Sequence, residues 1–265
     1  ASLGSEFFVA PYADYRSDYR EANFGSTQPF SYSLRTIDAG IEAGSVFGRW
    51  GEIRAGVVVG TGRVDPENNA VFSSDGFSRG GYTLKLTLDQ LDNVRFPHSG
   101  GLVKVDYFES SDAFGADFSW SRLVVEGRRA LSSGANSLLL VGRLGSSLNT
   151  QTPFYQSFRL GGLFNLSAMP AGAIDTRNQV YMRAQYYRQI RQLPALVGKG
   201  VYAGALLETG WGWDNGDDMT PTLGNLPWSA GGYLAADTFL GSLYLLGALG
   251  GEGEAAIYMA LGANF

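Results

Sequence analysis

Hydrophobic and polar side chains alternate along most of this 265-residue chain, which is the pattern of β-strands with one apolar face. In the clearest segment, Tyr82, Leu84, Leu86 and Leu88 share one side of the strand and Thr83, Lys85, Thr87 and Asp89 share the other. The pattern predicts about twelve strands, at 6–16, 32–47, 51–63, 79–91, 101–110, 116–129, 136–147, 179–190, 200–213, 228–239, 242–250 and 255–265, with 154–162 extended. A tilted strand needs about 9–11 residues to cross a bilayer, and most of these segments are long enough.

The connections between the predicted strands alternate between short and long. Residues 48–50, 130–135 and 240–241 make short turns, 191–199 is moderate, and 64–78, 148–178 and 214–227 are long. Short turns at one end and long loops at the other are typical of a transmembrane antiparallel β-barrel. The alternative is a soluble β-sandwich or lipocalin-like barrel, whose interior would be the apolar side. The connection 148–178 argues against it, because compact soluble domains seldom contain so long a loop.

Composition agrees with one membrane-embedded domain over residues 1–265. Charged residues make up 17%, less than the roughly 25% of ordinary soluble domains, and no apolar run is long enough for a membrane-spanning helix. The net charge of −5 provides no basic stripe, so nucleic acid is not an expected partner. The chain has no cysteine and one histidine, which excludes disulfides and the common zinc sites. No cofactor is expected.

The last predicted strand alternates from Ala255 to Phe265 and ends on an aromatic residue. Outer-membrane barrels characteristically end in this way, and Tyr258, Leu261 and Phe265 form the expected signal for the barrel assembly machinery. The predicted location is the outer membrane of a Gram-negative bacterium, with lipid around the barrel. An outer-membrane protein needs export, and no signal peptide is visible at Ala1, so the mature chain is expected to have lost it.

Two motifs give the chain a resemblance to a known family. The segments DQLDNVRFPHSGG at 89–101 and PFYQSFRLGG at 153–162 resemble the bacterial surface antigen family, the barrels of the BamA and two-partner-secretion superfamily. GRWGEIRAG at 48–56, FFVAP at 7–11 and GLFNLS at 162–167 are similar to the translocator barrel of patatin-like type V autotransporters. The resemblance covers essentially the whole chain.

The resemblance implies a sixteen-stranded barrel, of which this chain holds the last twelve strands, preceded by a POTRA domain and a patatin-like lipase. It also implies that the barrel translocates or anchors that N-terminal passenger in cis. The alternatives are a passive pore or a purely structural anchor, and a homodimer is a weaker expectation from the apolar exterior. We also expect the twelve strands to close into a ring, because an open sheet leaves edge groups unpaired in lipid.

The resemblance implies that the long loop carries a lumen-loop motif, at Phe158, Arg159, Leu160, Gly161, Gly162 and Ser167. In the relatives it contains Val-Arg-Gly-Phe or Val-Arg-Gly-Tyr, whose arginine pairs with an acid on the barrel wall. The matching residues here are Leu166, Ser167, Ala168 and Met169, so the arginine is absent, and the matching acid is Glu208. Either Arg159 or Arg177 replaces the missing cation, or Glu208 is a solvated wall residue.

Two arrangements raise the possibility of an enzyme. Gly76–Gly80 matches the GxSxG nucleophile elbow with Ser78 as nucleophile, but no helix follows it and the only histidine, His98, is predicted at the other side of the membrane. An outer-membrane phospholipase barrel uses a Ser-His pair on its lipid-facing wall, but His98 and Ser99 are adjacent in sequence and would point to opposite faces. The bland interpretation is that Pro97 and Gly100 set a turn while Phe96 anchors in the membrane interface. No catalytic residue is predicted.

The remaining expectations concern metals, arginines and aromatics. The acid-rich stretches Asp214–Asp218 and Asp65–Asn68 offer oxygen ligands for calcium, but solvated loops are the expected interpretation. Pro11 lacks a ladder donor and fits an edge, a bulge or the seam of the barrel. Arginines expected along the lumen or its rim are Arg95, Arg122, Arg128, Arg129 and Arg143. Aromatics expected in girdles at the two interfaces are Tyr12, Tyr15, Phe47, Trp50, Phe108, Trp120, Tyr186, Tyr187, Trp211, Trp213 and Trp228.

Overall fold

The computed structural model describes residues 5–22, 30–67, 74–148, 152–194, 196–214, 225–251 and 253–262, which form fourteen strands and two short 3₁₀ turns. The strands are β1 Ser5–Ala22, β2 Phe30–Phe47, β3 Gly51–Pro66, β4 Asp75–Asp89, β5 Gly100–Ser110, β6 Trp120–Ser133, β7 Asn136–Ser147, β8 Phe158–Leu160, β9 Ile174–Thr176, β10 Asn178–Gln192, β11 Gly198–Trp213, β12 Trp228–Thr238, β13 Gly241–Gly250 and β14 Ala255–Leu261. The 3₁₀ turns are Asp112–Phe114 and Phe154–Gln156. No helix in the described part of the chain is long and apolar enough to span a membrane.

Twelve of these strands form one antiparallel sheet in which each strand pairs with its neighbours in sequence. The exception is the step from β7 to β10, because β8 and β9 between them form a separate two-stranded sheet. The all-β antiparallel prediction is confirmed. The predicted strand at 116–129 instead begins at Trp120, because Asp112–Phe114 makes a 3₁₀ turn that ends on Gly115 in the left-handed region.

The expected closed ring of twelve strands is not found among the described residues. β1 and β14 stand at the two ends of the strand order, each paired on one side only. Closure requires the first and last strands to match in length and stagger. β1 pairs with β2 along all eighteen of its residues, whereas β14 pairs with β13 along seven. Pro11 lies on β1 and therefore on an edge, where its missing donor is tolerated.

The two faces of the sheet differ, and we call them the lumen face and the outer face. On β10 the buried side chains Tyr181, Arg183 and Gln185 alternate with the exposed Met182 and Tyr186. The same alternation gives the outer face its large exposed apolar side chains, among them Ile41, Val57, Leu84, Leu140, Leu207, Leu245 and Ile257. The lumen face carries ion pairs and buried tyrosines. The apolar side is thus the outside, which is the reverse of a soluble β-sandwich.

The ends of the sheet also differ, and we call them the turn end and the loop end. The turn end carries the connections at 48–50, 134–135 and 239–240, and the loop end carries those at 111–119 and 148–177. The aromatic girdle prediction is only partly right. Tyr15, Trp50, Tyr186 and Trp228 are exposed, but Trp120 and Tyr187 are buried. Strand alternation turns these two rings inward, and Tyr187 packs in the buried cluster of the lumen.

Candidate functional site

The connection between β7 and β10 folds back into the lumen. β8 pairs with β9 through Phe158 and Thr176, Arg159 and Asp175, and Leu160 and Ile174. Gly161 and Gly162 follow with φ of 116° and 98°, and a Cβ on Gly161 would overlap the carbonyl oxygen of Pro170. These glycines allow the tight return at the tip of the loop.

The wall of the lumen has a gap that accepts this loop. The ring of Phe158 occupies the space where a side chain on Gly145 of β7 would lie. The guanidinium of Arg122 sits over the same ring, 4.1 Å from its centre. Gly145 and Arg122, on neighbouring strands, therefore form the seat of Phe158.

The tip of the loop is bound to the predicted wall acid. Glu208 is 1% exposed, and its Oε2 accepts a hydrogen bond of 2.6 Å from the backbone N–H of Ser167. The hydroxyl of Tyr181 lies 2.6 Å from Glu208 Oε1 and 2.7 Å from the carbonyl oxygen of Phe164. The backbone N–H of Ala168 donates to Ser229 Oγ over 3.1 Å. The tip is thus held by backbone groups.

Both sequence-based alternatives for Glu208 are wrong. The side chain is buried, so it is not a solvated wall residue, and its hydrogen-bond donors are Ser167 and Tyr181. Arg159 lies 3.9 Å from Asp175 inside the loop, and the backbone N–H of Arg177 donates to Asp214. An amide N–H and a phenol satisfy the carboxylate where an arginine was expected, since a buried acid needs donors but not necessarily a cation.

Asn165 organises the loop tip from within. Its Nδ2 donates to the carbonyl oxygens of Arg159 and Gly161 over 3.1 and 3.2 Å, and its Oδ1 accepts from Arg143 on β7. Arg183 donates to the carbonyl oxygen of Phe164 over 3.1 Å and lies over the ring of that residue. Two wall arginines therefore bind the loop through neutral acceptors.

The turn between β4 and β5, at residues 90–99, also enters the lumen. The expectation that Phe96 anchors in the membrane interface is wrong, because this ring is 0% exposed and stacks on Tyr202 with centroids 4.1 Å apart. Gly100 closes the turn with a φ of 96°, where a Cβ would overlap the carbonyl oxygen of Gln90. The hydroxyl of Tyr187 donates to the carbonyl oxygen of Pro97. The turn is therefore a second inward-folded element.

Asp92 shapes this turn. Its Oδ1 accepts the backbone N–H groups of His98 and Ser99 over 2.8 and 3.1 Å. Burial alone would raise the pKa of the Asp92 carboxyl, but these two donors outweigh it and the pKa is lowered. The turn is thus stabilised by the ionised carboxylate, and this contribution is lost as the pH falls through the lowered pKa.

An ion pair ties the turn to the opposite wall. Arg95 Nη1 lies 2.7 Å from Asp237 Oδ1 and donates to the carbonyl oxygen of Thr238 over 2.9 Å. Asp237 is 2% exposed, whereas Arg95 is partly open to solvent. Arg95 and Asp237 are 142 residues apart in sequence. This contact therefore joins the two halves of the sheet across the lumen.

We expect Arg95→Gln to destabilise the fold by about 1–3 kcal/mol, because it leaves a buried carboxylate without its cation. The midpoint of heat-induced unfolding in detergent, followed by gel mobility, measures the effect. Lys199→Gln is the matched control, since Lys199 is an exposed cation at the same end and makes no ion pair within the described residues. Equal midpoints for the two variants would contradict a structural role for the Arg95 contact.

The loop and the turn meet in one aromatic cluster. Phe96 stacks on Tyr244 with centroids 5.7 Å apart, and Phe164 of the loop contacts the same Tyr244 edge-on at 5.1 Å. Phe164 also contacts Tyr233. Buried members of the cluster are Phe96, Ala130, Leu139, Val141, Phe164, Tyr187, Tyr202, Leu206, Tyr233, Ala235, Tyr244 and Leu246. The lumen beside β7 and β10–β13 is therefore filled from both ends.

The lumen beside β2–β4 is lined by charges instead. Glu42 of β2 binds Lys85 at 2.6 Å and Arg54 at 3.4 Å, and Asp38 binds Arg79 at 2.6 Å. Each cation is on β3 or β4, so the pairs cross between strands. A water-containing lumen tolerates such charges, which an apolar core would not.

The residues considered for catalysis lie far apart. Ser78 is near the start of β4, and its backbone N–H is bound to Asp117, whereas His98 lies beyond the end of that strand. Eleven strand residues cover about 35 Å at roughly 3.3 Å per residue, so the two side chains cannot form a nucleophile and base pair. The structure gives Ser78 and His98 no common site.

The candidate metal and terminal sites fall partly outside the described residues. Within them, no group of three or more potential ligands was found, and Asp217 and Asp218 lie beyond them. Of the expected terminal signal, Tyr258 packs against the aromatic cluster and Leu261 is exposed on the outer face. Phe265 lies outside the described residues.

Comparison with known proteins shows which solved structures share this fold. No protein-family model and no curated protein matches the sequence. BamA from Haemophilus ducreyi lacking POTRA domains 1–3 is similar in structure over 96% of this chain, with a TM-score of 0.73 and 12% identity. CdiB from Escherichia coli is similar over 96% of the chain, with a TM-score of 0.64 and 15% identity. This chain shares the fold of these barrels. It spans 61% of the length of the BamA chain and 48% of the CdiB chain.

The sequence indicated the loop and its acid partner, but it did not indicate that the turn at residues 90–99 enters the lumen. The motif that contains Phe96 was recognised, yet a Phe-Pro pair next to a turn predicts an interfacial anchor as readily as an inward ring. The available signal was the set of tyrosines at alternate lumen positions of β10–β13, namely Tyr187, Tyr202, Tyr233 and Tyr244. Four inward aromatic rings near one level of the wall need an apolar partner.

Proposed function

We propose that this chain is the outer-membrane β-barrel domain of a Gram-negative translocator. The observation that carries the proposal is the inverted arrangement of its faces: large apolar side chains outside, and ion pairs with two inward-folded segments inside. Contact of such an outer face with lipid is favourable, whereas contact of the same apolar side chains with water costs free energy. The fold shared with BamA and CdiB supports the same location.

The translocator serves an N-terminal patatin-like phospholipase in cis, and a POTRA domain stands between the two. The resemblance of residues 7–11, 48–56 and 162–167 to the type V autotransporters supports this passenger. Four further strands, as in a sixteen-stranded barrel, would pair with the edges of β1 and β14. Unpaired edge groups cost several kcal/mol each in lipid, so the membrane-embedded sheet needs such partners.

The contacts of the lumen residues support the roles that we propose for them. Phe158, Arg159, Leu160, Gly161, Gly162 and Ser167 shape and fix the loop, and Glu208 holds its tip. Tyr258, Leu261 and Phe265 form the strand end that the barrel assembly machinery recognises. A purely structural anchor is the second candidate, because a lumen filled from both ends favours holding a passenger over conducting solutes. A wide passive pore is disfavoured for the same reason.

The proposal is tested with the full-length protein expressed in a Gram-negative host. We expect a heat-modifiable product in the outer-membrane fraction and a passenger that proteinase K digests on intact cells, because translocation exposes it. Phe265→Ser should abolish the heat-modifiable form, and Asn264→Ser is the matched control. A passenger that is protected until the outer membrane is opened would contradict translocation and support the anchor. A product without heat-modifiable mobility would overturn the barrel itself.

A further inference from the structure

A groove crosses the outer face of the sheet between β5 and β12. Its volume is about 810 Å³, within the range of small-molecule sites. Gly127, Gly142 and Ala184 form its floor, while Leu140 and Met182 rise beside them. Trp228 and Leu207 line the far end. The groove is therefore apolar and long, on a face whose neighbouring residues are large.

The two glycines make the groove. Gly127 and Gly142 are directly opposite each other on β6 and β7. A Cβ built on either glycine meets no atom within 4 Å, so the space above both is open. Next to them in the same row lie Val103 of β5 and Met182 of β10. The depression is one side chain deep and two strands wide, which suits a single extended hydrocarbon chain.

One cation borders the groove on the outer face. Arg129 is exposed and pairs across the sheet with Leu140, while its neighbour Ala130 is buried in the lumen cluster. This position corrects the expectation that Arg129 lines the lumen or its rim. Arg129 makes no ion pair among the described residues. An arginine beside an apolar groove extends its guanidinium toward the nearest anion, which in a bilayer is a lipid phosphate.

We propose that this groove binds one phospholipid of the inner leaflet, with an acyl chain over Gly127 and Gly142 and the phosphate on Arg129. Arg129 lies toward the turn end of β6, and the short turns of outer-membrane barrels face the periplasm. The inference thus rests on the proposed membrane location. A second copy of the chain fits less well, because a two-fold contact centred here would bring two Arg129 cations into one apolar interface.

The experiment measures binding of dioleoyl phosphatidylglycerol to delipidated full-length protein in detergent by native mass spectrometry. Gly127→Leu combined with Gly142→Leu fills the groove, and we expect it to weaken binding about tenfold or more. Gly247→Leu is the matched control, because Gly247 is also on the outer face with nothing within 4 Å of a Cβ. It should bind as the wild type does.

A second pair of variants tests the phosphate. Arg129→Gln should weaken phosphatidylglycerol binding about tenfold, since one charge-assisted contact is lost. Dioleoylglycerol, which lacks the phosphate, should bind the wild type and Arg129→Gln equally. Arg188→Gln is the matched control, because Arg188 is an exposed cation on the same face that does not line the groove.

Several outcomes would overturn the inference. They are equal affinities for the filled variant and Gly247→Leu, no dependence on the phosphate, binding of lipid A in place of phosphatidylglycerol, or a dimer that the filled variant abolishes. Gel mobility of the same wild-type sample separates this failure from the larger one. A heat-modifiable protein that gives any of these results overturns the groove alone. A wild-type protein without heat-modifiable mobility overturns the proposed function and this inference together.

Discussion

Replacing residues 149–176 by a short Gly-Ser linker should leave the lumen partly closed, and adding Phe96→Ala should open it fully. The ends of the loop are already adjacent, because the backbone N–H of Ser147 donates to the carbonyl oxygen of Arg177 over 2.9 Å. The linker removes the ring of Phe164 but leaves the turn stacked on Tyr202. Single-channel conductance of the full-length protein in a planar bilayer should therefore rise in two steps.

The controls separate opening from unfolding. Phe96→Ala alone should lower stability by about 3–5 kcal/mol, as expected for a fully buried ring, and should change conductance less than the combined variant does. Phe118→Ala removes an exposed ring at the loop end and should change neither quantity. If the linker variant alone conducts as much as the combined variant, residues 90–99 are not a second plug. Unchanged conductance in both variants would contradict the closure of the lumen by either segment.

Glu208→Ala should release the tip of the loop and lower stability by about 2–4 kcal/mol. The variant leaves the N–H of Ser167 without its acceptor in a buried site and removes one of the two acceptors of the Tyr181 hydroxyl. Glu208→Gln should cost less, because its oxygen can still accept from Ser167 while its amide donates to the tyrosine. The unfolding midpoint measures the loss of stability, and protease cleavage of the loop measures the release of its tip.

The matched control for this prediction is Glu52→Ala on β3. Glu52 is a partly exposed acid on the same face, bound to Arg54 two residues along its own strand. A partly exposed pair of this kind contributes about 0–1 kcal/mol, so the loop should stay protected in this variant. A Glu208→Ala protein with an unchanged midpoint and an uncut loop would show that other contacts hold the tip. The bond between Ala168 and Ser229 would then be the next candidate.

The loop and the turn show where sequence reasoning succeeded and where it stopped. The resemblance to the surface antigen barrels placed the loop tip near Glu208, and the two do meet. The missing arginine led to a search for another cation, although a backbone amide satisfies the acid. Any residue except proline supplies such an amide, so the side-chain sequence carries no signal for it. Phe96 was misplaced because the ring's partners lie on β10, β11 and β13, more than ninety residues along the chain.

The sequence by itself determined the strands, their antiparallel order and which face is apolar, because side chains alternate with a period of two and consecutive strands joined by short turns pair with each other. It also separated Ser78 from His98. Only the tertiary structure decided that residues 90–99 enter the lumen, that Arg129 faces outward beside a groove, and that β1 and β14 remain edges. These features depend on contacts between distant strands and on curvature, which no local pattern encodes.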